Sequence, residues 1–93
     1  MPDFRIQCAA AEVRTASGTC PGSGRCRKGD TYILGPRTPA GMCARAFTVV
    51  YPMAFAMRWT DRMDWEKTGH VDVICPDGHV TYRLTRLTDP PMK

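Results

Sequence analysis

Val71-Asp72-Val73-Ile74-Cys75-Pro76-Asp77-Gly78-His79-Val80-Thr81-Tyr82-Arg83-Leu84 is the stretch that decides the fold. Val71, Val73 and Cys75 alternate with other residues, and so do Val80, Tyr82 and Leu84, which is the period of a half-buried strand. Between them Pro76-Asp77-Gly78 is a turn signature: proline presets φ, aspartate bonds its own backbone, and glycine accepts positive φ. Two alternating runs joined by such a turn make a β-hairpin.

Residues 4–14 repeat the alternation with Phe4, Ile6, Cys8 and Ala10 against Arg5 and Gln7. Residues 15–29 form a loop rich in Gly, Ser, Pro and Cys, and Thr31-Tyr32-Ile33-Leu34 reads as a short strand. The single good helical stretch is 43–59, where Ala44, Phe47, Tyr51, Phe55 and Trp59 recur at spacings of three and four. Val49, Val50, Met53 and Met57 make its other side apolar as well. Pro52 has no N–H for the carbonyl of Thr48, so it kinks or splits this helix. Residues 60–69 are polar linker, and 88–93 are a loose tail.

The order β, β, helix, hairpin predicts an α+β fold, with a small antiparallel sheet of about four strands packed against the Pro-kinked or split helix. Residues 1–93 make a single domain, since a chain this short has no room for two cores. Phe4, Ile6, Ile33, Phe47, Phe55, Val73 and Leu84 lie on the apolar sides of these segments and are the expected core.

The formal net charge is +4, but the thirteen basic residues are scattered and interrupted by acids, so nucleic acid is not the expected partner. No stretch approaches the ~18–20 apolar residues of a membrane helix. The start Met1-Pro2-Asp3-Phe4-Arg5 lacks the pattern of a signal peptide, which makes a cytoplasmic location the expectation. So apolar a helix suits assembly into a homo-oligomer.

Five cysteines in such a chain carry the chemistry. An odd number in a cytoplasmic setting disfavours a disulfide framework and leaves metal ligation or thiol chemistry. Cys8 shares its strand face with Phe4 and Ile6 and reads as core. Cys20 and Cys26 sit in the glycine-rich loop, and Arg25, Arg27 and Lys28 flank Cys26. Cys43 stands where the helical pattern begins, and backbone amides at a helix start favour a thiolate. Cys75 ends a strand beside a turn. His79, four residues on, is read first as polar surface and second as a ligand.

Four sulfurs at Cys20, Cys26, Cys43 and Cys75 suit a soft-metal site by type. No Cys-x-x-Cys pair occurs, and the donor types do not separate zinc from copper or iron. Three functions stay open. The first is a metal-binding protein with those four thiolates, structural or catalytic. The second is a thiol-dependent enzyme or sulfur carrier with Cys43 as nucleophile and Cys20 or Cys26 as resolving thiol. The third is a small interaction subunit whose cysteines are incidental.

Several pieces recur in one order: Cys20-Pro21 before Gly29-Asp30; Pro39-x-Gly41-x-Cys43; Tyr51-Pro52; Ala56-Met57-Arg58-Trp59; Trp65; and Cys75-Pro76-Asp77. In this set the chain resembles an uncharacterised family of small cysteine-containing prokaryotic proteins, over roughly residues 4 to 87. The resemblance implies a compact domain with functional interest at Cys20, Cys43 and Cys75, and implies no activity. Three departures stand out: Cys26 where the family often has His, about two extra residues near Ser23-Gly24, and Thr60 where a Gly is expected.

Overall fold

The computed structural model describes residues 4–20, 26–60, 62–64, 66 and 69–87. The expected loose tail, Trp65 and the middle of the cysteine loop (21–25) lie outside them. Strands β1 (Arg5–Val13) and β2 (Thr31–Leu34) precede helix α1 (Ala44–Arg58), and strands β3 (His70–Ile74) and β4 (Val80–Leu87) follow it. The strands form one antiparallel sheet in the order β2-β1-β4-β3, and α1 packs on β1, β3 and β4. Among the described residues, the α+β class, the four strands and the helix are those the sequence predicts. No helix there is long and apolar enough to cross a membrane.

Alternation sets the buried face. Ile6, Cys8 and Ala10 of β1, Leu34 of β2, Val71 of β3, and Val80, Tyr82 and Leu84 of β4 are all buried. Near the end of β1 a bulge breaks the register: Ala10 faces Tyr82, but Glu12 faces Thr81. The extra residue, Ala11, returns Val13 to a position opposite Val80 and sends Glu12 outward, as a bulge re-aims side chains. The other face is polar, and Arg83 pairs across the strands with Asp72 at 2.9 Å.

The helix corrects the expected core. Ala46, Val50, Ala54 and Met57 are fully buried, at spacings of four, four and three. The aromatics Phe47, Tyr51, Phe55 and Trp59 follow one another along the adjoining side of the helix, stacked, then tilted, then edge-on, with ring centroids 5.0, 5.8 and 5.9 Å apart. A stripe of mostly small side chains lets the helix settle close on the sheet, whereas aromatic rings would hold it off. Phe55 is therefore 47% exposed, and Phe47 is only half-buried. Ile33, also expected inside, is 44% exposed because Leu34 takes the inward position of β2. Phe4 and Val73 are half-buried against the core, while Ile6 and Leu84 are fully inside as expected.

Pro52 does not split α1, which runs through it. Thr48 and Pro52 are both exposed, so water can bind the carbonyl that the proline leaves unpaired. At the far end the Arg58 carbonyl accepts the Phe4 N–H at 2.9 Å, and Arg58 Nη1 donates to the Gly35 carbonyl at 3.2 Å. Arg86 of β4 donates to the carbonyls of Met57 and Thr60 and ion-pairs with Glu66, which ties the linker to the sheet.

Candidate metal centre

The hairpin turn is the frame of the site. Cys75 N–H donates to the Val80 carbonyl at 2.9 Å, and Gly78 N–H returns to the Cys75 carbonyl at 2.7 Å with φ +80° at Gly78. The Asp77 carboxylate accepts the His79 N–H at 3.0 Å, a local bond of the kind that suits aspartate to turns. Arg14, just past β1, clamps the turn from outside. Its N–H donates to the His79 carbonyl at 2.7 Å, and its guanidinium gives two bonds to the Gly78 carbonyl at 3.2 and 3.0 Å.

The cysteine loop is anchored beside this turn. Ala10 N–H donates to the Asp30 carbonyl at 2.8 Å and Gly29 N–H to the Ala10 carbonyl at 2.9 Å, so the loop's end is pinned to β1. Thr19 and Arg27 form an isolated antiparallel bridge, and Cys20 N–H donates to the Cys26 carbonyl at 2.7 Å. Cys20 and Cys26 thus sit across from each other on two short extended arms.

This folding brings Cys20 to the turn. The sulfur of Cys20, a carboxylate oxygen of Asp77 and a ring nitrogen of His79 lie within 4.8 Å of one another, a grouping able to hold a metal ion. Cys20 is buried, and the other two are partly open. His79 Nδ1 is buried without a hydrogen-bond partner and lies 3.4 Å from Asp77 Oδ2. Cys75 adjoins the group. Its thiol lies near enough to Asp77 and Cys20 for both to act on it electrostatically. Burial is the main reason the Cys75 thiol titrates above its ordinary value, whereas the His79 N–H, followed by the Cys75 thiol, holds the Asp77 carboxyl low.

The other expected ligands are placed differently. Cys26 is buried and meets the hydroxyls of Tyr82 and Tyr32; burial pushes its thiol up, and those hydroxyls partly offset the effect. Cys43 is the N-cap of α1, half-buried, with no side-chain capping bond. Arg45, in the first turn of the helix, reaches within 3.9 Å of Asp77 Oδ2, so the start of α1 borders the site. Cys26, Cys43 and Cys75 do not belong to the 4.8 Å group. Cys8 faces the core as expected and lies outside the 4.8 Å group; burial, with a smaller contribution from Cys26, pushes its thiol up to about 12.

Asp77 and His79 are the residues that sequence reasoning undervalued. Asp77 read as a turn former and His79 as surface, although Cys75-Pro76-Asp77-Gly78-His79 carries three ligand types within one turn. Comparison with protein-family models, with curated proteins and with solved structures finds no match to the chain.

Proposed function

We propose that this is a small metal-binding protein whose centre is built on Cys20, Asp77 and His79, with Cys75 as fourth donor. Relative to the four-thiolate expectation, Cys20 and Cys75 stay and Asp77 and His79 replace Cys26 and Cys43. The observation that carries the reading is the convergence of a sulfur, a carboxylate oxygen and an imidazole nitrogen within 4.8 Å, at a His79 whose Nδ1 is buried and makes no hydrogen bond. A buried imidazole nitrogen that makes no hydrogen bond is costly, and a metal ion would satisfy it.

The spacing supports this. Bonds of ~2.0–2.2 Å from zinc to nitrogen and oxygen put two tetrahedral ligands ~3.3–3.6 Å apart. The separation of His79 Nδ1 from Asp77 Oδ2 is 3.4 Å. A mixed sulfur, nitrogen and oxygen shell suits a borderline ion, which favours zinc over copper(I). Four protein donors would close the shell and make the centre structural, joining the cysteine loop to the β3–β4 turn. The thiol-enzyme alternative draws less support: its nucleophile Cys43 is partly open, but both resolving thiols, Cys20 and Cys26, are buried.

The test is elemental analysis of protein purified anaerobically, with and without added zinc, beside Cys20→Ser, His79→Ala and Cys8→Ser. The expected result is about one zinc per chain, lost in the first two variants and kept in the third, with chelation lowering the melting temperature. Failure of the wild-type chain to retain zinc would refute the proposal, as would equal loss from all three variants.

A further inference from the structure

At the end of the sheet opposite the cysteines, a cavity of about 270 Å³ is lined by Arg5, Ile33, Gly35, Pro36, Arg37 and Thr38. The register explains its make-up. Ile6 faces Leu34, so Arg5 at the start of β1 lies beside Gly35, where β2 ends, on the face that α1 does not cover. The lining residues include two arginines and a threonine but no acidic residue, and Pro36, Arg37 and Thr38 are exposed. Among the described residues neither Arg5 nor Arg37 forms an ion pair. Arg5 Nε is buried and has no hydrogen-bond partner. One nearby acceptor, the Gly35 carbonyl, is already taken by Arg58. Ile33, exposed to 44%, and Pro36 give the cavity an apolar wall.

Two arginines without an ion-pair partner beside one recess, Arg37 of them exposed, repel each other. An oxyanion between them relieves that repulsion. Guanidinium forks bind carboxylate or phosphate oxygens side-on through two parallel N–H bonds. Two cations and one hydroxyl match a dianion better than a monoanion, and the apolar wall matches an organic group attached to it. We propose that this cavity binds a small organic phosphate, a monoester whose phosphoryl oxygens meet Arg5, Arg37 and Thr38 and whose organic part lies on Ile33 and Pro36. The site is independent of the proposed metal centre. β1 separates the two, and its eight steps from Arg5 to Val13 span roughly 26 Å.

The experiment follows amide resonances of the ¹⁵N-labelled full chain at constant ionic strength, titrating with phenyl phosphate, inorganic phosphate or benzoate. Phenyl phosphate should shift Gly35, Arg37 and Thr38 with a dissociation constant of about 1 mM or tighter. Inorganic phosphate should bind more weakly for want of the apolar contact, and benzoate more weakly for want of charge. Arg37→Gln and Arg5→Gln should each weaken phenyl phosphate binding about tenfold or more, as loss of a charge-assisted fork does. Arg83→Gln removes an equal charge from a residue paired elsewhere and should leave binding unchanged. No localised shift by about 10 mM, equal weakening by Arg83→Gln, or tighter binding of benzoate would overturn the assignment. So would equal binding of inorganic phosphate, which would remove the organic group from it.

Discussion

Replacing Glu66 by glutamine tests the most completely buried ion pair among the described residues. The side chains of Arg86 and Glu66 are 7% and 2% exposed. Arg86 Nη2 approaches Glu66 Oε1 to 2.5 Å and Nη1 donates to Oε2 at 2.8 Å, while Oε1 also accepts the Met63 N–H at 3.0 Å. A glutamine side chain at this position would keep the size and one oxygen. Its amide group would turn donors toward donors, leaving the Arg86 charge buried and unmatched. Breaking one half of a buried pair costs ~3–5 kcal/mol. That is a large part of the ~5–10 kcal/mol expected for a domain of this length, and it corresponds to a melting temperature lower by about 12 °C or more.

The pH dependence gives a second measure of the same pair. The Arg86 hydrogen bond, opposed by burial, holds the Glu66 carboxyl below its ordinary value. A depressed folded pKa means that the stabilisation is complete above the unfolded carboxylate value of ~4.3 and is lost as pH falls through the folded one. Urea unfolding followed by tryptophan fluorescence at pH 7 and pH 3 should therefore show a wide gap between wild type and Glu66→Gln that narrows in acid. Joint replacement by Glu66→Leu and Arg86→Met should come close to wild type, because it removes both charges. A cost below about 1 kcal/mol for Glu66→Gln at pH 7, or a gap that does not narrow, would refute the reasoning.

Val50→Ala, at a fully buried site on the sheet-facing stripe, should cost ~2–3 kcal/mol in urea unfolding, whereas half-buried Phe47→Ala should cost ~1–2 kcal/mol; a larger loss at Phe47 would reverse the assignment of the helix face. Gly78→Ala at φ +80° should cost ~1–2 kcal/mol and weaken zinc retention by disturbing the turn that carries Asp77 and His79; wild-type stability in that variant would place the strain elsewhere. The Cys8 thiol, pushed up to about 12 from 9.0, contributes stability that is whole below pH 9.0 and lost as pH rises toward 12. A Cys8→Ala variant should lack that alkaline component in pH-dependent denaturation. In the native chain iodoacetamide should label half-buried Cys43 before Cys8, as mass spectrometry would read; prior labelling of Cys8 would contradict its burial.

The secondary-structure elements were legible from local sequence alone. Alternation in β1, β3 and β4, the Pro76-Asp77-Gly78 turn and the 43–59 periodicity are local signals, set by the dihedral preferences and side-chain spacing of neighbouring residues. Burial of Cys8 was equally legible, since its strand face was fixed by the period of two. Which side of α1 meets the sheet was settled by packing. The helix is apolar nearly all round, so hydrophobicity does not choose, and the small stripe Ala46-Val50-Ala54 wins because it permits closer packing. The bulge at Ala11 was likewise invisible, because two-against-one pairing depends on the partner strand. The candidate metal centre joins residues 57 and more positions apart, Cys20 with Asp77 and His79. Their convergence rests on the β2-β1-β4-β3 order and on the Arg14 clamp, and no local spacing encodes a contact that exists only once strands from both ends of the chain have paired.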